Sequence, residues 1–313
     1  MAALVVRRVL ETLPTLALLS VLAFALLESA PGDPARRLLT QGGQASSEID
    51  ERDVAALRYE LGLDLPLWQR YLRWAGGVAR LDFGTSYVNR RRVTDLVAER
   101  LPASVALAAL ALAVGVGLSV PLGIAAAVRH RTALDGAIRA MTLLGGSLPA
   151  FWLALLLIWL FAAELHLFPA LGSLTPAGIV LPAAVLAWRT TGLLTRLTRA
   201  ALLDALGLEH IRVARAKGLG ERTIVLRHAL SNALVPITTV IALDLAALIA
   251  HATIVEWVFD WPGLGRMGVE AALAGDVPVL LAYVLVACVV VVAINLAADI
   301  AVLAIDPRQR TTL

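Results

Sequence analysis

The sequence predicts an all-α, polytopic membrane protein, and three observations carry that prediction. Hydrophobic residues make up 59% of the 313-residue chain and charged residues 16%, whereas soluble domains contain about 25% charged residues. Six apolar segments are each long enough to cross a bilayer, which takes about 20 residues. Basic residues lie in the short segments that connect these spans. The formal net charge is only +3, so the placement of the basic residues is more informative than their number.

The six predicted spans set the orientation of the chain. They are Val9–Leu27, Ala103–Val128, Leu143–Leu165, Ile179–Leu197, Leu234–Val255 and Val277–Leu303. Arginines precede the first span, follow the sixth, and lie between the second and third and between the fourth and fifth. The loop between the third and fourth spans contains neither Lys nor Arg. Because short basic loops stay in the cytoplasm, both termini are expected there.

This orientation divides the chain into four regions. Residues 1–30 hold the first transmembrane helix, and residues 31–92 form an extracytoplasmic loop region with short helices. Residues 93–303 form a transmembrane domain of five helices, and residues 304–313 a cytoplasmic tail. The outer loop region contains many arginines. Loops longer than about 60 residues escape the charge rule, however, so this does not conflict with the orientation.

The cytoplasmic connector between the fourth and fifth spans, residues 204–233, is too charged to lie in the bilayer. Small residues stand beside Gly218, which predicts a helix end and a close turn of the backbone. A second helical run is predicted over Thr223–Leu234. Two interpretations stay open: a docking site for another protein, and a basic loop that only sets the topology.

Two charged residues lie near the middle of predicted spans, where charge is costly and usually functional. Arg189 belongs to the fourth span and Asp244 to the fifth, at similar depth. Either they pair with each other, or one or both line a route and meet the charged ends of a zwitterionic substrate. His251 shares a helix face with Asp244 two turns away. A metal site there would need another helix, so a hydrogen-bonded packing role is preferred.

The sequence contains no arrangement typical of catalysis. It has no glycine-rich phosphate loop ending in Lys-Ser or Lys-Thr, and no serine-histidine-acid or zinc-binding pattern. Its one cysteine, Cys288, excludes an intrachain disulfide. We therefore predict no catalytic residue, no metal ligand and no bound cofactor on this chain, whose energy must come from partners.

The connector resembles the coupling loop of ABC importer permeases of the dipeptide, oligopeptide and nickel family. The similarity rests on its RAKGLGERTIVLRHALSNALVP run and on further segments in the same order. These segments are APGDPA (30–35), LGLDLPLWQRYLRW (61–74), DFGTSY (82–87), LTRAALLDALG (197–207), VEWVFDWPGLGR (255–266) and DPR (306–308). They cover nearly the whole chain, and the long outer loop region is similar to the B-type permease subunit.

The resemblance implies a type I ABC importer permease fold in the bacterial cytoplasmic, or inner, membrane. It implies a heterodimer with a second, homologous permease, two cytoplasmic ATPase subunits that bind ATP and Mg, and an extracytoplasmic solute-binding protein. Peptides are the implied cargo, with nickel or another small cargo as the alternative. The residues implied to couple this chain to the ATPases are Ala214, Lys217, Gly218, Glu221, Arg227 and His228.

Two functions from other classes compete with this interpretation. An ion-driven secondary transporter would use Arg189 and Asp244 for ion coupling, with inverted repeats that the sequence does not show. A membrane scaffold without transport activity would need no charges in the middle of its spans. Co-purification of an ATPase distinguishes the importer from both.

Overall fold

The computed structural model describes residues 2–29, 33–41, 50–172 and 174–305, and helices contain most of them. The α-helices are α1 (Ala2–Glu28), α2 (Pro34–Gln41), α3 (Glu51–Glu60), α4 (Leu67–Val78), α5 (Val93–Val128), α6 (Ala133–Ser147), α7 (Ala150–Leu157), α8 (Val180–Leu206), α9 (Glu209–Ala216), α10 (Glu221–Thr223), α11 (Leu230–Val258), α12 (Leu264–Ala274) and α13 (Val277–Ile305). Two π-helical segments, Ile158–Glu164 and Ile224–Ala229, follow α7 and α10. This agrees with the predicted all-helical class.

Four helices are long and apolar enough to span a membrane. They contain the segments Glu11–Glu28, Val93–Val128, Pro236–Val258 and Val277–Ala297. The number rises to five if the bent pair formed by α6 and the helix after it counts as one span. Within the described residues α8, which contains the predicted fourth span, is not among them; its sequence carries three arginines. Six spans therefore remain a prediction.

The predicted third span, Leu143–Leu165, is not one continuous helix but contains a break between two helices, so a single straight helix there was wrong, while a span through the bent pair stays a prediction. α6 ends at Ser147, α7 begins at Ala150, and the chain bends by 108° between them. Leu148 is extended, with φ −82° and ψ 125°. The residue before a proline avoids the helical region, so Pro149 explains the break.

The chain forms two compact units, Met1–Ser104 with Pro262–Val290, and Val105–Trp261 with Val291–Leu313. In the first unit, α4 packs on α1 through the aromatic rings of Phe24, Tyr71 and Trp74, whose centroids lie 5.5 to 6.0 Å apart. The half-buried ion pair of Arg70 with Glu28 joins the same two helices. Helix α4 of the segment that follows α1 is thus folded against α1.

A buried carboxylate holds a second contact within the first unit. Asp276 precedes α13 and accepts hydrogen bonds from the backbone nitrogens of Tyr87, at 3.1 Å, and Val88, at 3.4 Å. The Ser86 hydroxyl donates to the same carboxylate. These hydrogen bonds hold the turn at residues 86–88 against the start of α13, although the bonded groups are 188 or more residues apart in sequence.

The second unit is built around α8, which is buried over most of its length. α8 packs against α6, α7 and α11. Its last turns join a cluster of buried apolar residues with the connector that follows it. That cluster is Ala127, Leu202, Ala205, Ile211, Ala214, Ile224, Val225, Ala229, Ala233 and Ile237. The connector is therefore part of the packed unit.

Candidate functional site

The connector between α8 and α11 turns at Gly218, where a short helix ends. Leu219 N donates to Ala214 O at 3.3 Å, and Gly218 N donates to Arg215 O at 2.9 Å. These two bonds are the Schellman motif, which needs a left-handed residue after the helix. Gly218 has φ +78°, a conformation that costs little only for glycine. The helix end therefore falls where the sequence placed it.

The two limbs of the connector pack against each other through apolar side chains. Ile211 and Ala214 of α9 face Ile224, Val225 and Ala229 of the π-helical segment, and all five are buried. Ala214 thus lies in the core of the connector and forms no part of its exposed surface. This packing sets the position of every exposed residue around it.

An ion pair closes the turn from outside. Arg215 Nε donates to Glu221 Oε1 at 2.7 Å, and Arg215 Nη2 donates to Oε2 at 3.3 Å. The guanidinium lowers the pKa of Glu221, and the carboxylate raises the pKa of Arg215. Glu221 is therefore engaged within the connector, a role that its place in the motif did not predict.

The exposed surface of the connector is basic and apolar at once. Lys217, Gly218 and Arg227 are exposed, and His228 is half-buried. Exposed apolar side chains lie among them, namely Val213, Leu219 and Leu226. Sequence reasoning missed these three. The signal was available for Val213, because it falls opposite Ile211 and Ala214 on the helical repeat of α9.

Replacing Glu221 by glutamine is expected to loosen the Gly218 turn without unfolding α9, because Arg215 loses its charged partner. Hydrogen exchange over residues 215–222, followed by mass spectrometry, should be faster in the variant at pH 7. Because Arg215 lowers the pKa of Glu221 from its ordinary 4.5, the pair contributes fully above pH 4.5 and is lost as the pH falls through the lowered value. Wild type and variant should therefore converge in acid.

The matched control for this change is Glu209→Gln. Glu209 is an exposed acid of the same connector whose carboxylate has no ion-pair partner in the described part of the chain. It should leave exchange over residues 215–222 unchanged. Equal exchange in wild type and Glu221→Gln at pH 7 would show that the ion pair does not restrain the turn.

The structure brings the two charges of the predicted spans together. Arg189 Nη1 on α8 donates to Asp244 Oδ1 on α11 at 2.7 Å. Thr190 Oγ1 donates to Asp244 Oδ2 at 2.6 Å, so both carboxylate oxygens are engaged. The Asp244 side chain is 1% exposed, whereas that of Arg189 is 41% exposed. The carboxylate is therefore enclosed, while the guanidinium reaches the surface of the unit.

His251 lies apart from this ion pair. Its Nδ1 is 2.7 Å from Ala247 O, one turn back on α11, so that nitrogen carries the proton and donates. In the described part of the chain no hydrogen bond joins His251 to Asp244 or Arg189. Among the described residues no group of three or more His, Cys, Asp or Glu side chains lies close enough to hold a metal ion.

Close approaches between helices hold α8 in place. A Cβ atom at Gly115 would lie 2.6 Å from Thr190 Cγ2, and one at Gly123 would lie 2.5 Å from Thr198 Cβ. α5 and α8 therefore pack more tightly than any larger residue at these glycines allows. Thr190 belongs to both arrangements, since its methyl group faces Gly115 and its hydroxyl holds Asp244.

Two models of known protein families match this chain. Residues 119–311 match the profile of the binding-protein-dependent transport system inner membrane component. Residues 1–108 match the N-terminal region of the binding-protein-dependent transport system membrane components. Together the two matches cover all of the chain except residues 109–118 and 312–313.

Full-length relatives and a solved structure are also similar to this chain. A Brucella abortus (strain 2308) protein whose name describes a peptide transport system permease is 37% identical over 318 residues, with 99% of each chain covered. The oligopeptide transport system permease protein AppB of Bacillus subtilis (strain 168) is 35% identical, with 98% of this chain and 99% of AppB covered. An inward-facing structure of the MetNI methionine ABC transporter aligns with a TM-score of 0.56 and 21% identity, covering 67% of this chain and 96% of that one.

Proposed function

This chain belongs to the family of binding-protein-dependent transport system inner membrane components, and we propose that it forms half of the route through which an ATP-driven importer takes up peptides. The observation that carries this proposal is the connector between α8 and α11. It is a folded, basic and partly apolar surface, and it lies at the position of the coupling loop in the family motif.

Peptides are the cargo that the relatives favour. The Brucella abortus and Bacillus subtilis proteins are named for peptide and oligopeptide transport, and the Escherichia coli (strain K12) relative, 36% identical over 306 residues, for glutathione transport. Glutathione is itself a short peptide. Nickel or another small cargo is the alternative, and uptake assays with each substrate separate them.

We assign six spans to this chain and place both termini in the cytoplasm of a bacterium, with the chain in its inner membrane. The four apolar helices and the bent pair supply five spans, and α8 supplies the sixth. With 27 residues α8 is about 40 Å long, which is enough to cross a bilayer. The division into residues 1–30, 31–92, 93–303 and 304–313 then follows from the charge of the short loops.

The connector is the surface that the ATPase would bind. Lys217 and Arg227 offer charge, and Leu219 and Leu226 offer apolar area that water would otherwise cover. The shape of the turn depends on Ala214, Gly218 and Glu221, and His228 lies at the edge of the exposed surface. When the two ATPase subunits bind ATP they would close against each other and move this surface. The packed helices of the second unit would then follow as a rigid body. A second permease and a solute-binding protein complete the transporter.

The test is ATP hydrolysis by the complex purified with the partner proteins encoded beside it. Loaded binding protein should stimulate hydrolysis in wild type, and Gly218→Asp should lose that stimulation, because a side chain at φ +78° strains the turn. Gly220→Asp is the matched control. It adds the same charge two residues away, at the N-cap of α10, where φ is −67° and aspartate is favoured.

The outcomes separate the competing functions. Stimulation that is retained in Gly220→Asp and lost in Gly218→Asp supports coupling through the turn. Equal loss in both variants would attribute the effect to charge alone. If no ATPase co-purifies and an ion gradient alone drives uptake, the chain is a secondary transporter and the proposal is wrong.

A further inference from the structure

One face of α8 is left uncovered within the second unit. It consists of Arg189, Leu193, Arg196 and Ala200, spaced four, three and four residues apart, and each is half-buried or exposed. The residues between them on the helix are largely buried, against α6 and α11 and, at Gly115 and Gly123, against α5. A spacing of four and three residues forms one continuous stripe along a helix. We call this stripe the α8 face.

The part of the α8 face around Arg189 is not turned toward lipid. Arg189 lies near the middle of the predicted fourth span, Ile179–Leu197, where exposure of a charge to hydrocarbon is costly, so such side chains face the interior of a bundle or a water-filled cavity. Arg196 lies one residue before the predicted end of that span, where the route would open into the cytoplasm. The α8 face is therefore placed as expected of a wall of the transport route and of its inner opening.

The two arginines are neutralised to different degrees. Asp244 pairs with Arg189 and is itself enclosed, with both oxygens already engaged. Arg196 Nη1 donates to the backbone oxygen of Thr142 at 2.7 Å, and no carboxylate lies within ion-pair distance of it in the described part of the chain. Asp204, at the edge of the same face, lies eight residues further on. Arg196 thus keeps an uncompensated positive charge.

We propose that Arg189 and Arg196 bind the carboxylate of a peptide in transit, at two positions along the route. This deepens the proposed function, on which it rests. A guanidinium has five N–H donors in a planar fork that suits a carboxylate, and few of them are used here. Two turns of helix, or about 10 Å, separate the two residues. A carboxylate released by one arginine can therefore bind next to the other as the peptide moves along the route.

The chemistry leaves two sources for the carboxylate. Every unmodified peptide has one at its C-terminus, and peptides that contain Asp or Glu carry another on a side chain. An exposed guanidinium does not distinguish between them, because the group that it binds is the same. The common property is a free carboxylate, and we expect this chain to pass anionic or zwitterionic peptides better than peptides without one.

The test is uptake into proteoliposomes that contain the complete transporter. Three peptides serve as cargo: trialanine, trialanine amide, and a tripeptide amide with a central glutamate. We expect Arg196→Gln to slow trialanine roughly tenfold, as loss of a charge-assisted contact predicts, and to leave trialanine amide unchanged. Because the binding protein is the same throughout, its own preference cancels in the ratio of variant to wild type.

The controls separate charge from folding. Arg196→Lys keeps the positive charge and should keep most of the uptake. Arg139→Gln removes an exposed arginine of α6 and should change nothing. If Arg196→Gln does not assemble, Ala200→Glu serves instead, since it places a repelling carboxylate on an exposed position one turn along the α8 face. It should slow trialanine and spare its amide.

The outcomes of the uptake experiment distinguish the two sources of the carboxylate and test the proposal itself. Slowing of trialanine alone identifies the C-terminal carboxylate, and slowing of the glutamate-containing amide as well extends the site to acidic side chains. Equal slowing of all three peptides would overturn the proposal, because the arginine would then serve packing. A wild-type complex that hydrolyses ATP but takes up no peptide would instead overturn the proposed function, and this inference with it.

Discussion

Replacing Asp244 by alanine is expected to abolish transport and to reduce sharply the yield of folded protein. The change would leave Arg189 without a counter-ion at the surface of α8 and Thr190 without its acceptor. Removing one partner of a buried ion pair typically costs about 3–5 kcal/mol, because the remaining charge stays desolvated. Arg189 is 41% exposed, so the lower end of that range is the expectation. Yield, thermal unfolding and peptide uptake of the purified complex measure the effect.

Two double variants separate the structural role of this pair from its role in transport. Exchanging the charges, with Arg189→Asp and Asp244→Arg, should restore folding if pairing is what matters. It should not restore the preference for free carboxylates, because the guanidinium then sits on α11. Neutralising both, with Arg189→Gln and Asp244→Asn, should fold and yet transport trialanine more slowly. Unchanged folding in Asp244→Ala would contradict a structural role of the ion pair. Unchanged uptake after both charges are neutralised would contradict a role of either residue in the transport route.

Gly115→Ala is expected to destabilise the second unit although it adds a single methyl group. The new Cβ would lie 2.6 Å from Thr190 Cγ2 and 2.8 Å from Thr190 Cβ, closer than real Cβ atoms approach. Overpacking of this kind costs about 1–3 kcal/mol. Displacement of Thr190 would also disturb its hydrogen bond to Asp244. Thermal unfolding of the purified complex should show a lower midpoint.

The control lies two residues further along the same helix. A Cβ at Gly117 would meet nothing within 4 Å, and alanine in a helix is favoured over glycine by up to about 1 kcal/mol. Gly117→Ala should therefore leave the midpoint unchanged or raise it. Adding Thr190→Ser to Gly115→Ala removes the methyl group in conflict and keeps the hydroxyl, so it should recover part of the loss. Equal midpoints for both glycine variants would show that α5 and α8 can move apart without cost.

The spans illustrate what could be predicted from local sequence. The apolar segments around α1, α5, α11 and α13 were recognisable from length and composition alone, because the bilayer sets both. The break between α6 and α7 was not predicted, although Pro149 was visible. A proline within an apolar run either kinks a helix or ends it, and only the packing of the neighbouring segments selects one.

In the connector, too, local sequence predicted one feature and tertiary packing decided another. Gly218 indicated the end of α9 because the conformation after a helix end is a property of a few consecutive residues. Which side chains the connector buries was not accessible in that way. Ala214 lies inside and Leu219 and Leu226 outside, because the limbs of the connector pack on one another and on α8.

The sequence by itself determined the membrane class, the helical content and the family. The first two depend on composition and on the length of apolar segments, and the family depends on motifs of consecutive residues. Counting residues along each helix, at about 1.5 Å per residue, also predicted that Arg189 and Asp244 lie at similar depth. The tertiary structure decided how each helix is rotated about its axis and which helix lies beside it. That rotation makes Asp244 an enclosed partner of Arg189 and Thr190, and it leaves Arg196 on the uncovered face of α8. Rotation depends on packing between residues distant in sequence, such as Gly115 with Thr190, which no local pattern records.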